Sequence, residues 1–298
     1  LFIDAFPAGW MKTIMDCRRN PKPAYFTYQD CLSPLMADLR GDRFTFFGGE
    51  TMRIESYICN DKKAVEGAEA CYMAELDGKV IASVKQPAVI GDCSTVFQGY
   101  ATVETPKVDS RKTLTLSMAI MKDGEILHYT SENYTLFPQV RIQHPALISY
   151  EDYAANREAI DKEVENGKTV IFAPLDQGDY TIAGSQVKVK NCGMHPVYFV
   201  SRDTGHPLVK DFLPNDFSYW YGEKLDRLVP MMYASFECDG IETVLSSGNK
   251  DDEGAWRKTN ACGVLSHGKG KIVICQIDLQ SPASNPVCAK FIENLLSL

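Results

Sequence analysis

The sequence predicts a multidomain protein made of a short N-terminal helical stub, an antiparallel β-sandwich and a C-terminal α/β domain. At 298 residues the chain is about two domains long, because single cores usually stop growing at about 100 to 200 residues. The spacing of apolar residues changes along the chain from helical to a period of two and back again. We therefore place three parts at residues 1–42, 43–140 and 141–298.

The stub contains two helix-like segments separated by prolines. The first is PAGWMKTIMDCRR (7–19) and the second is AYFTYQDCLSPLMADLR (24–40). Pro23 suits the first turn of the second helix, and Pro34 should end or kink it. With Trp10, Phe26 and Leu32, the stub is too apolar and too short to stand alone, so we expect it to pack on another part of a larger protein.

The middle part shows strand patterns. Leu114, Leu116, Met118 and Ile120 alternate with Thr, Ser and Ala, which predicts a strand with one buried face. Similar runs are TMRIESYIC, EACYMAEL, KVIASVKQ, TVFQGYATVE and ILHYTSENYTLF. Turn signals separate them at Asn60-Asp61, Asp77-Gly78, Gly91-Asp92 and Asp123-Gly124. Six or seven strands at this spacing favour an immunoglobulin-like sandwich.

The last part mixes helices and strands. After a linker at His144-Pro145, Ser149 can cap a helix that Gly167 ends. Strand candidates follow at TVIFAPL, QVKVK, VYFVSR, ETVLSS and KIVICQIDL, and NPVCAKFIENLL reads as a closing helix. Strands with flanking helices indicate a layered α/β domain, and we expect a flavodoxin-like arrangement.

Charge and cysteine usage narrow the class of protein. The net charge of −8 repels phosphate backbones and anionic lipid, so nucleic acid and membrane surfaces are poor partners, whereas a neutral sugar is not repelled. No apolar run approaches the roughly 18 to 20 residues that span a bilayer. Ten scattered cysteines without a CxxC pair indicate reduced thiols. These thiols indicate a cytoplasm-like compartment. The chain opens at Leu1 without the pattern of an intact secretory N-terminus, so we expect a fragment whose native N-terminus is missing.

The sequence contains no complete motif for nucleophilic catalysis, metal binding or phosphate binding. Cys192, in Asn-Cys-Gly-Met-His195, could be an amidotransferase-like nucleophile, but a turn between strands explains it more simply. The five histidines show no metal-binding spacing. In 267–271 (HGKGK) the glycines precede a strand, which favours a hairpin over a phosphate loop. The acidic residues read as solvated surface. We predict no catalytic residue, metal or cofactor.

The most informative segment is FLPNDFSYWYGEKLD (212–226), together with Trp256 in a later acidic loop. Aromatic faces bind the apolar faces of sugar rings, and carboxylates bind the hydroxyls. The candidate carbohydrate-binding residues are His206, Asp216, Tyr219, Trp220, Tyr221 and Trp256. The alternative is that Phe217 and Trp220 anchor an irregular loop onto the core.

Several segments resemble glycoside hydrolase family 2, which contains β-galactosidase-like and β-glucuronidase-like enzymes. FIDAFPAGWMKTIM and RRNPKPAYFTYQDCLSPL resemble the end of that family's catalytic (β/α)8 barrel. GGETMRIESYICND resembles the start of the immunoglobulin-like domain that follows the barrel. GHPLVKDFLPNDFSYWY and GKGKIVICQIDLQ look like a C-terminal α/β domain related to flavodoxin-like or amidotransferase-like folds.

The resemblance covers most of the chain in order, and it implies a non-catalytic C-terminal portion of such an enzyme that lacks the barrel. The family's two catalytic glutamates would then lie upstream of Leu1, and no glutamate of this chain matches them. The implied partner is the upstream catalytic barrel of the same polypeptide, whose activity is hydrolysis of O-glycosidic bonds. An oligosaccharide and a second copy of the chain are further candidate partners. The alternative function is a carbohydrate-binding module that uses the loop aromatics.

Overall fold

The computed structural model describes residues 13–192, 201–202, 205–213 and 215–298, and it is mostly β-sheet with few helices. The chain forms two compact units. The first contains 13–41 and 48–136, and the second contains 42–47 and 137–298. The division into domains at 1–42, 43–140 and 141–298 stays a prediction. None of the helices in the described ranges is long and apolar enough to cross a membrane.

The first unit consists of one helix and antiparallel strands. In chain order the elements are α1 (Pro23–Cys31), β1 (Leu35–Arg40), β2 (Thr45–Phe47, which belongs to the second unit), β3 (Thr51–Asn60), β4 (Glu69–Leu76), β5 (Lys79–Pro87), β6 (Ser94–Glu104), β7 (Lys112–Lys122) and β8 (Glu125–Phe137). One sheet has the order β1-β3-β6, and the other has the order β8-β7-β4-β5 within this unit.

Alternating apolar residues build the core of this unit, as the period of two predicts. The four residues Leu114, Leu116, Met118 and Ile120 all lie on β7 and are buried. On β3 of the other sheet, alternate residues are buried in the same way. The hydroxyls of Ser56 and Tyr72 share a buried hydrogen bond of 2.9 Å between the two sheets. The arrangement is consistent with a β-sandwich.

Two predicted hairpin turns are confirmed by their backbone conformations. Asp77 and Gly78 have φ of 47° and 79°, and Asp123 and Gly124 have φ of 50° and 85°. Two successive residues with positive φ are what a type I′ turn requires, and its twist matches that of the flanking strands. These turns connect β4 to β5 and β7 to β8.

The N-terminal stub differs from its prediction. Helix α1 begins at Pro23 as predicted, but it ends at Cys31, and the following segment is strand β1, which pairs with β3 along its whole length. The reason is that Pro34 cannot continue a helix, while alternate residues after it face the core. Residues 13–19 are not helical: the Asp16 carboxylate accepts the N–H groups of Arg18 and Asn20 in a turn. Trp10 lies outside the described residues.

The second unit is built on a large mixed sheet. Its elements after β2 are β9 (Leu147–Ile148), α2 (Tyr150–Ala155), α3 (Arg157–Glu165), β10 (Thr169–Phe172), β11 (Gly178–Ile182), β12 (Ser185–Asn191), β13 (Ser201–Arg202), β14 (Tyr221–Gly222), β15 (Arg227–Leu228), β16 (Ala234–Cys238), β17 (Glu242–Lys250), β18 (Trp256–His267), β19 (Gly270–Cys275) and α4 (Pro286–Leu295). The sheet order is β11-β12-β16-β18-β19-β10-β9, with β17 paired to β18 and β13.

The flavodoxin-like arrangement is not confirmed by this topology. Within the described ranges, only the pairs β9–β10 and β10–β19 are parallel. A parallel pair needs a crossover connection, usually a helix, whereas β17, β18 and β19 follow one another as antiparallel hairpins. Strand VYFVSR is described only at 201–202, where β13 lies.

Two local predictions for this unit are confirmed. Ser149 Oγ accepts the N–H of Asp152 and caps α2, although the predicted helix is divided into α2 and α3 at Asn156. Residues 267–270 form the β18–β19 hairpin turn rather than a phosphate loop. At Gly268, which has a φ of 61°, an added Cβ would lie 2.5 Å from the Glu165 Cα, so only glycine fits.

Helix α4 closes one core of this unit. Phe291 is fully buried, and its ring lies 6.0 Å from that of Phe217 and 6.4 Å from that of Phe212. Asn285 caps the helix by accepting the N–H of Cys288. The helix therefore fixes the preceding loop through aromatic packing.

We expect Phe291→Ala to lower the free energy of unfolding by about 3 to 5 kcal/mol, because a large buried side chain leaves a cavity. Leu296→Ala, at a half-exposed position just after the same helix, should change it by less than about 1 kcal/mol. Urea unfolding followed by circular dichroism measures both. Equal effects of the two substitutions would contradict the assignment of Phe291 to the core.

Candidate functional site

The segment that the sequence singled out, 212–226, lies in the second unit, where its described residues and those at 205–211 just before it pack against α4. Trp220 is 2% exposed and lies in one core with Phe212, Phe217 and Phe291. The Asn294 amide on α4 donates to the carbonyls of Leu208 and Lys210, both at 3.1 Å. Since Trp220 leaves almost no ring surface accessible, its position favours anchoring of the loop over stacking on a sugar.

Two polar candidates, His206 and Asp216, are also buried and hold backbone groups. His206 Nδ1 accepts the N–H of Leu208 at 3.1 Å and so caps a short 3-10 helix. Asp216 Oδ2 accepts the N–H of Leu213 at 2.7 Å. These bonds satisfy backbone donors of an irregular segment, which is a structural use of both side chains.

Tyr219 and Tyr221 lie closer to the surface. The ring of Tyr219 lies 4.8 Å from that of Phe44, in the segment before β2. The Tyr221 hydroxyl donates to Asp226 Oδ1 at 2.6 Å. Burial, followed by this hydrogen bond, raises the pKa of Tyr221 to about 12. Both rings are thus fixed by neighbours, and their role in carbohydrate binding stays a prediction.

The sequence analysis placed Trp256 in a loop. In the structure it is instead the first residue of β18. It pairs with Lys250 across the β17–β18 hairpin, whose turn contains the acidic run 251–253. The Lys250 ammonium lies 5.4 Å from the centre of the ring. Trp256 is 51% exposed, so it keeps a surface that a ligand could reach.

A polar cleft lies on the same unit, where β12, β16, β17 and β18 come together. It has a volume of about 240 Å³. Its lining consists of Lys188, Lys190, Ser235, Glu237, Asn249, Lys250, Asp251, Asp252, Arg257 and Thr259. Strands β16 and β18 are joined there by a single register pair, Phe236 with Asn260. We refer to this feature as the polar cleft.

Two aspartates that line the polar cleft form ion pairs with basic side chains of the same lining. Arg257 Nε lies 2.9 Å from Asp251 Oδ2, and this bond is the main reason that the pKa of Asp251 is lowered. Asp252 bonds to Lys190 and lies 4.0 Å from Lys188 Nζ, and the bond to Lys190 is the main cause of its lowered pKa. Both carboxylates are therefore ionised near neutral pH.

The lining of the polar cleft also contains the buried polar side chains of Asn249, Ser235 and Thr259. The Asn249 amide nitrogen lies 3.2 Å from the Lys190 carbonyl, 3.1 Å from the Asn191 carbonyl and 3.0 Å from Ser235 Oγ. Thr259 is 5% exposed, and its Oγ1 is buried without a hydrogen-bond partner. The polar cleft thus has a structured polar wall and one unsatisfied hydroxyl.

Sequence reasoning missed the polar cleft. One local signal was present: in QVKVK the lysines 188 and 190 alternate with valines that enter the core, which places both lysines on the other face of β12. The acidic run 251–253 was interpreted as solvated surface. That these two segments meet depends on strand pairing across some 60 residues, and such pairing has no local pattern.

Cys192, the alternative nucleophile, does not have the environment of an activated thiol. Burial raises its pKa, and a hydrogen bond with Ser235 offsets this only in part. Reactive thiols have a lowered pKa. His195 lies outside the described residues. Across the described ranges, no group of three or more His, Cys, Asp or Glu is placed to hold a metal ion.

No protein-family model and no curated protein matches the chain. Among solved structures, a Parabacteroides merdae β-glucuronidase with glycerol in its active site matches at 8% identity, over 49% of this chain and 21% of that one, with a TM-score of 0.25. A Bacteroides fragilis protein assigned as a β-galactosidase matches at 11% identity, over 51% and 26%, with a TM-score of 0.27. A glycosyl hydrolase family 2 member from Bacteroides cellulosilyticus matches at 8% identity, over 48% and 23%, with a TM-score of 0.25.

The chain therefore spans about a fifth to a quarter of the length of these proteins. At such identities and TM-scores, the similarity establishes neither the fold nor the activity of this chain.

The raised pKa of Cys192 leads to a prediction about its reactivity. At pH 7 iodoacetamide should modify the exposed Cys31 and Cys93 before Cys192, because burial keeps the Cys192 thiol protonated and shielded. The rate at Cys192 should rise about tenfold per pH unit below its pKa, as the thiolate fraction does. Peptide mass spectrometry measures the rates. Fastest labelling at Cys192 at pH 7 would instead indicate an activated nucleophile.

Proposed function

We propose that this chain is a non-catalytic accessory region of a glycoside hydrolase, and that it supports a catalytic barrel of the same polypeptide that hydrolyses O-glycosidic bonds. The ordered resemblance of its segments to family 2 enzymes motivates the proposal. In the same proposal, α1 is the end of the barrel, the strands of the first unit after it are the immunoglobulin-like domain of such an enzyme, and the second unit is its flavodoxin-like or amidotransferase-like α/β domain.

The observation that carries the proposal is the surface of α1, the helix that resembles the end of the barrel. No residue of α1 is buried. Phe26 is 54% exposed, and Leu32, directly after the helix, is 72% exposed. An apolar side chain that is exposed in one part of a protein is what a contact with a further part would bury. A barrel to which this helix belongs would cover them.

The placement of the other candidates agrees with an accessory role. The segment 212–226 uses Phe212, Phe217 and Trp220 for packing against α4, and the Cys192 thiol has a raised pKa. All ten cysteines are free, which suits a reducing, cytoplasm-like compartment. A second copy of the chain remains a proposed partner.

Two activity measurements test the proposal. The 298-residue chain should show no turnover of nitrophenyl galactoside or glucuronide, whereas the product of the complete reading frame should hydrolyse such a substrate. Turnover by the 298-residue chain, lost on substitution of one of its own carboxylates, would contradict the proposal.

Substitutions on α1 test the contact itself. Phe26→Ala and Leu32→Ala should leave the stability of the 298-residue chain within about 0.5 kcal/mol, because both side chains are exposed in it. In the complete protein the same changes should lower the free energy of unfolding by about 2 to 4 kcal/mol, because the side chains are then buried. Leu225→Ala, at a position 60% exposed in the second unit, is the control. Equal effects in both contexts would contradict a contact with the barrel.

A carbohydrate-binding module is the second candidate function. The half-exposed Trp256 favours it, because this ring keeps an accessible surface. The buried Trp220 does not favour it. Binding of oligosaccharide that is lost in Trp256→Ala would support this candidate.

A further inference from the structure

We propose that His128 is a pH-sensitive switch in the first unit, whose neutral imidazole holds the edge strand β1 in place and whose protonation in mild acid releases it. This switch lies wholly within the first unit, so it operates whether or not a barrel precedes the chain. Three features support it: the edge position of β1, the hydrogen bond from β1 to His128, and the charged groups around the imidazole.

Strand β1 lies at the edge of its sheet. The sheet has the order β1-β3-β6, so within the described ranges β1 pairs with β3 on one side only. Ala37 lies opposite Ile58 in this pair, yet its N–H donates away from β3. Ala37 is 2% exposed, so water has little access to this N–H. If the present acceptor is lost, the N–H stays without a partner unless β1 moves.

His128 provides this acceptor from the other sheet. It lies on β8, directly opposite the buried Ile120 of β7, and its Nδ1 accepts the Ala37 N–H at 3.1 Å. A neutral imidazole has one accepting and one donating nitrogen, so the proton of His128 is on Nε2. In the protonated ring both nitrogens donate. The Ala37 N–H and the Nδ1–H would then face each other, and the bond is lost.

The charged groups around His128 come from each element packed near it. They are Asp30 in the last turn of α1, Asp38 on β1, Glu132 on β8, and Lys122 of β7 with Glu125 opposite. Burial lowers the pKa of His128, although the Asp30 carboxylate favours the charged form. In the folded chain burial outweighs this attraction, so the neutral ring that accepts from Ala37 is favoured.

The lowered pKa sets the direction of the switch. When β1 is detached, the imidazole lies in water and titrates near the ordinary histidine value of about 6.5. The attached strand is therefore most stable above about pH 6.5, and it loses stability as the pH falls from there to the lower pKa of the folded state.

Glu132 acts in the opposite direction. Burial, followed by the neighbouring Asp38, raises the pKa of Glu132. Its carboxyl therefore takes up a proton more readily in the folded chain, which stabilises the folded state as the pH falls. Glu132→Gln removes this contribution, and release of β1 in acid should persist in that variant.

Hydrogen exchange of the 298-residue chain tests the switch, with rates corrected for the intrinsic effect of pH and measured by mass spectrometry at about pH 7.5 and about pH 5. The amides of β1 should lose protection roughly three- to tenfold in acid, as expected for one hydrogen bond. Those of β7 in the same unit should keep theirs. In an NMR titration the His128 ring and the Ala37 amide should shift with one common midpoint, below pH 6.5.

His128→Asn is the informative variant. Its amide oxygen takes nearly the place of Nδ1 and accepts a hydrogen bond, but it does not titrate in this range. Protection of β1 should then be the same at both pH values. His144→Asn is the matched control, because His144 is exposed and lies in the second unit. This variant should lose protection of β1 in acid as the unchanged protein does.

Four outcomes would overturn the switch. These are equal protection of β1 at both pH values in the unchanged protein, a loss that persists in His128→Asn, a loss that His144→Asn removes, and an equal loss in β1 and β7, which would indicate global unfolding in acid. None of them bears on the accessory role, which the glycoside turnover and the α1 substitutions test.

Discussion

Hydrogen bonding along β18 is the constraint on which the second unit depends. This strand pairs with β16, β17 and β19. Backbone N–H and C=O groups inside a protein must be paired, so the strand fixes the positions of its three neighbours. Its central residues are buried, and they contribute to both cores of the unit: Ala261, Cys262 and Val264 to one, and Leu265 to the other.

The polar cleft arises where this pairing becomes incomplete. Between β16 and β18 a single register pair remains, and side-chain amides bond there in place of the missing ladder. The Asn260 amide donates to the Phe236 carbonyl at 3.3 Å and accepts from Thr243. Asn249 bonds to β12 and β16 in a similar way. A branch in a sheet therefore supplies polar groups in a fixed arrangement.

The sequence predicts those strands, caps and turns that are determined by residues close together in the chain. Strand β7 has one buried face, so its alternation is visible, and the caps and turns at Ser149, Asp77-Gly78 and Asp123-Gly124 follow from side-chain chemistry. Strand β18 was missed because its buried run has no alternation and the residues that follow Trp256 at its start are polar. Strand β1 was missed because its pairing with β3, rather than its own pattern, decides its conformation. The polar cleft needs four strands in register, and that information is not local.

The segment 212–226 shows why residue types alone do not decide between two functions. Tryptophan, tyrosine and aspartate near one another fit either a sugar platform or an anchor, and only burial separates the two interpretations. In the structure Trp220 and Asp216 are buried, whereas Trp256, on a separate strand, remains half exposed.

The division of the chain into units has a consequence for dissecting the protein. The segment 42–47 belongs to the second unit, although residues on both sides of it, 13–41 and 48–136, belong to the first. Phe47 lies in the core that also contains Phe137 and Phe291. A truncated protein that starts at residue 137 would therefore lack part of its own interior. Separate production of the second unit would require the 42–47 strand to be supplied, for example by grafting it onto the new N-terminus through a linker.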